Sequence, residues 1–367
     1  MIKNIKLKNW KSFKNMDFKT QSINILIGGN ASGKTNFLEA LELLQKMGRN
    51  ASEDEIREIR GGQRFFKNKK SEDEILLECE IEIEGKDYRY KIYEKEKRIG
   101  DRVINDEAKI KSIEVEPKEV YVGEKARIKI EMEFPLKELV KEKELSKITV
   151  LDPIPREIRK NIGDMYSSYI SKDCGNIISY IANLPIEKKS MIEKELLNYL
   201  PSLLDMDIES ISFAKIGEME EGSQLYLEER INGKVEKVHA DIISDGTLRF
   251  IAIIGAMLCQ SEGSLLAIEE VDNGIAPAKT KLLLNILNEI SYERNIDIIM
   301  TTHNTALMNY LTTELFEFIF FTYRDKKGYS QIKRIAEIKR VPKLISFGKI
   351  GELMEDNRIL KFIEEDE

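Results

Sequence analysis

One short stretch limits the folds open to this chain more than any other. The apolar run at residues 22–27 leads straight into Gly28-Gly29-Asn30-Ala31-Ser32-Gly33-Lys34-Thr35. Behind it Phe37, Leu38, Leu41, Leu43 and Leu44 recur at helical spacing, with Gly48 as the expected stop. Strand, glycine-rich loop and helix together make the frame of a phosphate-binding loop, and the eight residues fit G-x-x-x-x-G-K-[ST]. The glycines let backbone N–H groups turn inward toward phosphate oxygens. Lys34 adds a point charge, the Thr35 hydroxyl offers one oxygen to Mg²⁺, and the helix directs its positive end at the anion. Gly28, Asn30, Ala31, Ser32, Gly33, Lys34, Thr35 and the following Asn36 form the expected nucleotide-binding set. The competing reading is an ordinary glycine turn, and the flanking strand and helix speak against it.

Charge narrows the function classes. Lys plus Arg number 58 and Asp plus Glu 65, a net charge of -7, which argues against a generally basic nucleic-acid coat protein. With 42% hydrophobic residues, the 367-residue chain has material for one large or two modest domains. Cys79, Cys174 and Cys259 are odd in number and widely spaced, so neither a disulfide framework nor a structural zinc site is expected. His239 and His303 are too few for a His-rich metal site. No apolar run follows the N-terminal lysines, and the longest apolar stretch, residues 250–259, is about half of a membrane span. A cytoplasmic protein without a membrane partner is expected.

Three parts follow from the patterning. Residues 1–96 contain the phosphate loop and period-two segments, among them residues 75–83 and 88–92, which read as antiparallel sheet with one wet face. Residues 97–207 read as an inserted lobe, β-like to about residue 134 and helical beyond it. Residues 208–367 open with a hairpin around Asn232-Gly233, a type I′ turn signal, and then alternate helix and strand. Leu265-Leu266-Ala267-Ile268 reads as a buried strand with Glu269-Glu270 at its end, where ligands of parallel sheets sit. The first carboxylate can hold Mg²⁺ and the second can orient an attacking water. Apolar strands often end in acids for other reasons, and only the phosphate loop makes the pair informative.

A family resemblance is carried by motifs far apart in the chain: Ser244-Asp245-Gly246-Thr247-Leu248-Arg249, Glu269-Glu270-Val271-Asp272-Asn273-Gly274, and Thr301-Thr302-His303-Asn304. Together with the opening Ile5 to Phe13 they resemble the signature, Walker B, D-loop and switch histidine of ABC-type ATPase heads. The nearest pattern is that of the AAA-family ATPases grouped with the OLD, RecF and SMC proteins. Val271 stands where a Pro is usual, Asp272 where a Glu is, and Ala276 where a His is common. The implied fold is α/β, a P-loop NTPase of the ABC-ATPase-head type, with an antiparallel β subregion in the N-terminal lobe and a helical insertion.

The resemblance implies an ATPase using ATP and Mg²⁺, with Thr35 and Glu269 on the metal side, Glu270 as the catalytic carboxylate and His303 at the γ-phosphate. Ser244 and Gly246 are then expected to cap ATP held by a second subunit, in a head-to-tail dimer or a larger homo-oligomer, with Asp272 crossing the interface. Taken alone, Ser244 reads equally as a helix N-cap and His303 as a loop histidine. The implied function is an ATP-driven switch that regulates a separately encoded nuclease or toxin in antiphage defence, with contact to DNA or RNA left open. A RecF- or SMC-like repair ATPase is the alternative. A transporter's nucleotide-binding subunit fits less well, because Ser-Asp-Gly-Thr departs from the transporter signature and the stretch from Thr35 to Ser244 is too long.

Overall fold

The computed structural model describes residues 2–49, 51, 55, 59, 75–83, 86–94, 96–99, 102–105, 118–121, 127–133, 142–160, 167–216, 222–309, 313–339, 341 and 350–366. Strands β1 (Ile2–Trp10) and β2 (Phe13–Lys19) form a hairpin with Ile5 opposite Phe18, and β3 (Ile23–Ile27) follows. Strands β4 (Ile75–Ile83) and β5 (Lys86–Glu94) continue the chain, with β6 (Glu96–Ile99) and β7 (Arg102–Asn105) as a separate hairpin. With β8 (Lys118–Tyr121) and β9 (Arg127–Glu133), the first antiparallel sheet has the order β2-β1-β4-β5-β9-β8.

A second six-stranded sheet carries the site. Its strands are β10 (Ile148–Leu151), β14 (Leu265–Ile268), β15 (Asp297–Thr302), β3, β16 (Ile319–Arg324) and β17 (Ser330–Arg334), in that spatial order. All neighbours are parallel except the β16–β17 hairpin. Every residue of β3, β10, β14 and β15 is buried, the pattern of a parallel sheet covered on both faces. Side chains alternate between two cores. Ile25, Ile27, Leu266, Ile268, Ile298 and Met300 enter one, whereas Leu26, Leu265, Ala267 and Ile299 enter the other.

Helix α1 (Lys34–Gly48) lies in the second core, between the two sheets. Its Phe37, Leu38 and Leu41 pack with Ile5, Leu7, Trp10 and Phe13, and Phe18 sits 5.0 Å from the Phe37 ring. Burying each such side chain contributes roughly 1.5–3 kcal/mol. Short helices α2 (Pro155–Lys160) and α3 (Ile177–Ala182), the longer α4 (Ile186–Leu204), α5 (Asp245–Cys259) and α6 (Pro277–Arg294) cover the opposite face. Residues 247–259 of α5 are all buried, so this helix runs through the first core instead of over its surface. Strands β11 (Ile208–Ile216), β12 (Gly222–Ile231) and β13 (Lys234–His239) form a small third sheet. Asn232 and Gly233 join the last two with φ of 50° and 78°, the expected type I′ geometry. No helix among the described residues is long and apolar enough to cross a membrane.

Sheet pairing crosses the expected division of the chain. β9 joins β5 in the first sheet, with Arg89 opposite Glu133, and β10 is an edge strand of the core parallel sheet beside β14. Residues 148–151 therefore belong to the core and not to a helical lobe. Four apolar or β-branched residues buried on both faces show no alternation, which is why the pattern did not separate them from the helical signals around them. Asp205-Met206-Asp207 is a loop. Asp205 ends α4 in the left-handed region, and β11 begins immediately after Asp207.

Candidate functional site

The C-terminal ends of β3, β14 and β15 converge on one cavity of about 310 Å³, lined by residues 30–36 together with Glu269, Glu270, Thr301 and Arg324. The phosphate loop leaves β3 and enters α1 at Lys34. Two of its glycines are forced by their neighbours. A Cβ on Gly28 would sit 2.3 Å from the Thr322 carbonyl oxygen, and one on Gly33, at φ 124°, 2.3 Å from Ser330 Oγ. The first turn of α1 is pinned from the β1–β2 turn: Trp10 Nε1 donates to the Asn36 carbonyl at 2.7 Å, and Asn36 Nδ2 donates to Ser12 Oγ at 2.7 Å.

Inside the cavity the loop's functional groups are held by the protein itself. Lys34 Nζ donates to the carbonyls of Gly28 at 2.7 Å and Gly29 at 3.0 Å. Burial pulls the Lys34 ammonium below its ordinary pKa, against the opposing charges of Glu270 and Glu269. Thr35 Oγ1 donates to Glu269 Oε1 at 2.5 Å, across 234 positions of sequence. Burial pushes the Glu269 carboxyl above the usual carboxylate range, while the Thr35 bond and Lys172 pull it back. A hydroxyl and a carboxylate side by side are hard oxygen donors suited to Mg²⁺, so the residues present fit that ion.

The acidic pair is split by the backbone. Glu269 directly follows β14, and Glu270 takes a left-handed φ of 47°. The Glu270 N–H donates to Thr301 Oγ1 at 3.0 Å, and the Val271 N–H to the Thr301 carbonyl at 3.1 Å, so the end of β15 fixes this turn. Glu270 Oε1 lies 3.2 Å from His303 Nδ1, with both side chains about half exposed. Arg249, 4% exposed, braces the same turn from α5. Its Nη2 donates to the carbonyls of Glu269 and Glu270, each at 2.9 Å, and its Nη1 to the Pro153 carbonyl. Asp152 stands 3.7 Å from Arg249, and burial raises its carboxyl despite that guanidinium.

Ser244 and Gly246 lie elsewhere, at the N-terminus of α5 and outside the cavity lining. Ser244 is the N-cap: its hydroxyl accepts from the Thr247 N–H at 3.2 Å while the residue stays exposed. Gly246 packs against the turn after Glu270, where a Cβ would come within 2.7 Å of the Gly274 carbonyl oxygen. Asp245 pairs with Arg159 at 2.6 Å. Asp272, expected to cross to a second subunit, is only 8% exposed, whereas Asn273 and Gly274 are exposed. His239 serves the third sheet, with Nδ1 2.8 Å from Asp241 and its ring edge-on to Tyr226.

The arrangement is that of a nucleotide-binding head, and the comparisons agree. Residues 23–309 match the family described as "AAA domain, putative AbiEii toxin, Type IV TA system". The chain belongs to this AAA family. No curated protein matches it. Among solved structures, an SMC head bound to the C-winged helix domain of ScpA aligns with a TM-score of 0.54 at 14% identity, covering 90% of this chain and 96% of that one. An SMC head with an extended coiled coil, bound to the C-terminal domain of ScpA derived from Pyrococcus furiosus, aligns at 0.51 and 14% identity, covering 94% and 99%. This AAA chain therefore has the P-loop fold of SMC ATPase heads, and antiparallel sheets are also present.

Several residues around the AAA site carry no functional signal of their own in the sequence. Arg249 and Thr301 lie within motifs of the resemblance, but no chemistry at those positions points to their bracing contacts with the Glu269-Glu270 turn. Arg324 and Ser330 carry no motif at all, and only the pairing of β16 with β3 brings them to the loop. A larger cavity of about 410 Å³ is lined by Glu39, Glu42, Lys46 and Arg49 with Asp152 and Lys172. Its charges pair with one another, as in the contacts of Glu42 with Lys172 at 2.9 Å and with Lys46 at 3.3 Å.

Proposed function

We propose that this protein is an ATP-hydrolysing switch that closes head-to-tail with a second copy around ATP and passes its state to a separately encoded effector. The observation that carries the reading is a division of labour on the surface. Lys34, Thr35, Glu269 and Glu270 line one cavity with His303 3.2 Å from Glu270, while Ser244 at the α5 N-terminus is exposed outside that lining. An N-terminus with a hydroxyl and free N–H groups suits a phosphate, and within one chain it has none to meet. A second copy supplies one.

Each residue has a task in this reading. Lys34 and the loop N–H groups bind the β and γ phosphates. Thr35 and Glu269 would hold Mg²⁺, which supplies charge neutralisation on the phosphate oxygens. Glu270 accepts the proton of the attacking water, and His303, 3.2 Å from Glu270, orients that carboxylate and faces the γ-phosphate. Ser244 and Gly246 cap the γ-phosphate from the other subunit, so affinity for ATP and for the second copy are linked.

The effector is a nuclease or toxin acting in antiphage defence. The family's own description names a toxin of a type IV toxin–antitoxin system, which supports that class. Solved heads of the same fold with a winged-helix domain bound support a head that signals to another chain. The test is the molecular mass of Glu270→Gln with and without ATP, by light scattering. A monomer that doubles in mass with ATP and Mg²⁺ is expected, with hydrolysis slowed roughly 10²-fold or more. A mass indifferent to ATP would remove the switch from the proposal.

A further inference from the structure

The hairpin of β16 and β17 touches the phosphate loop at three places, and none of its residues belongs to a nucleotide motif. Arg324 Nε donates to the Ala31 carbonyl at 2.9 Å, and its Nη1 to the Gly328 carbonyl at 2.9 Å. Ser330 Oγ donates to the Ser32 carbonyl at 2.5 Å and lies 2.8 Å from Ser12 Oγ. The Thr322 carbonyl and the Ser330 hydroxyl sit where Cβ atoms on Gly28 and Gly33 would be. In a trans peptide, C=O and the next N–H point in opposite directions. Drawing the Ala31 and Ser32 carbonyls toward the hairpin therefore turns the Ser32 and Gly33 N–H groups the other way, toward the cavity. The Ser32 N–H makes only a long 3.4 Å contact with the Gly29 carbonyl, so it is available to an anion.

We propose that this hairpin is a brace for the phosphate loop, with Arg324 and Ser330 as positioning residues that set the affinity for the triphosphate; the proposal rests on the phosphate-loop reading above. The brace is itself fixed from its turn. Asp325 Oδ1 accepts from the N–H groups of Lys327 and Tyr329, each at 2.9 Å, and Oδ2 accepts from Gln331 Nε2 at 3.1 Å. That turn places the Gly328 carbonyl on Arg324. Arg324 is exposed and lines the same cavity as Lys34, Glu269 and Glu270, so its guanidinium also adds positive charge beside the phosphates.

The test compares full-length Arg324→Ala, Arg324→Lys and Ser330→Ala with Lys34→Ala, reading the Kd of a fluorescent ATP analogue and the KM and kcat for ATP. Arg324→Ala and Ser330→Ala are expected to raise Kd and KM roughly fivefold or more, with kcat within about twofold. Arg324→Lys recovers part of the loss, because an ammonium still reaches one carbonyl. Ser330 is fully buried, so a folding defect in that variant, seen by circular dichroism, passes the decision to the exposed Arg324. Unchanged KM in the Arg324 and Ser330 variants beside a Lys34→Ala that loses ATP overturns the brace alone. A fall in kcat at constant KM also overturns it. A Lys34→Ala that keeps its ATP affinity removes the site reading on which the brace stands.

Discussion

Glu269 and Lys34 carry opposite charges at the bottom of one cavity, and each is held by groups that a ligand would replace. Lys34 rests on two loop carbonyls and Glu269 on the Thr35 hydroxyl. Removing the ammonium leaves the loop's N–H groups without the charge that draws phosphate in, so Lys34→Ala is expected to abolish ATP binding in a titration calorimeter; retained affinity would place the nucleotide elsewhere. Asp297 is a different kind of residue. It opens β15 with 2% exposure, its Oδ1 has no partner among the described residues, and burial raises its pKa from 3.8 to about 7. The folded protein then holds a proton that the unfolded chain releases, so stability falls as pH rises from about 4 to about 7. Asp297→Asn should remove that slope and raise stability above pH 7 by about 1–3 kcal/mol. Urea denaturation at pH 5 and pH 8 checks it, and an unchanged slope would exclude Asp297 as its source.

Among the elements, α5 ties the two halves of the site together. Its exposed N-terminus bears Ser244, and its buried Arg249 holds the carbonyls of Glu269 and Glu270. A shift of the helix on meeting a phosphate would thus move the turn that aims Glu270. Arg249→Ala is expected to lower kcat about tenfold or more with little change in ATP affinity. Equal kcat in variant and wild type would show the helix and the carboxylate to be independent. What the residues disclosed in advance follows the same physics. The phosphate loop, the acidic strand end and the Asn232-Gly233 hairpin were legible because each needs particular residue types at fixed local spacing. β10 was hidden because a short strand buried on both faces has no period. Arg324 and Ser330 were hidden because their partners Ala31 and Ser32 lie about three hundred positions away, joined only through the pairing of β16 with β3.

Across the fold, the parallel sheet gathers the phosphate loop and the acidic strand end around one cavity and leaves the α5 N-terminus exposed outside it. In the proposed switch the two belong to one site shared between copies. Mixing two variants tests it directly. Glu270→Gln keeps its α5 N-terminus but cannot activate water, and Ser244→Arg keeps its catalytic cavity but cannot cap a neighbour's ATP. In a head-to-tail pair of one of each, the Ser244→Arg cavity meets an intact Ser244 from the other subunit, which rebuilds one working site. Each variant alone is expected to be nearly inactive, and the mixture to regain a substantial fraction of wild-type ATP hydrolysis. A mixture no more active than the sum of its parts, with both variants binding ATP, would contradict it.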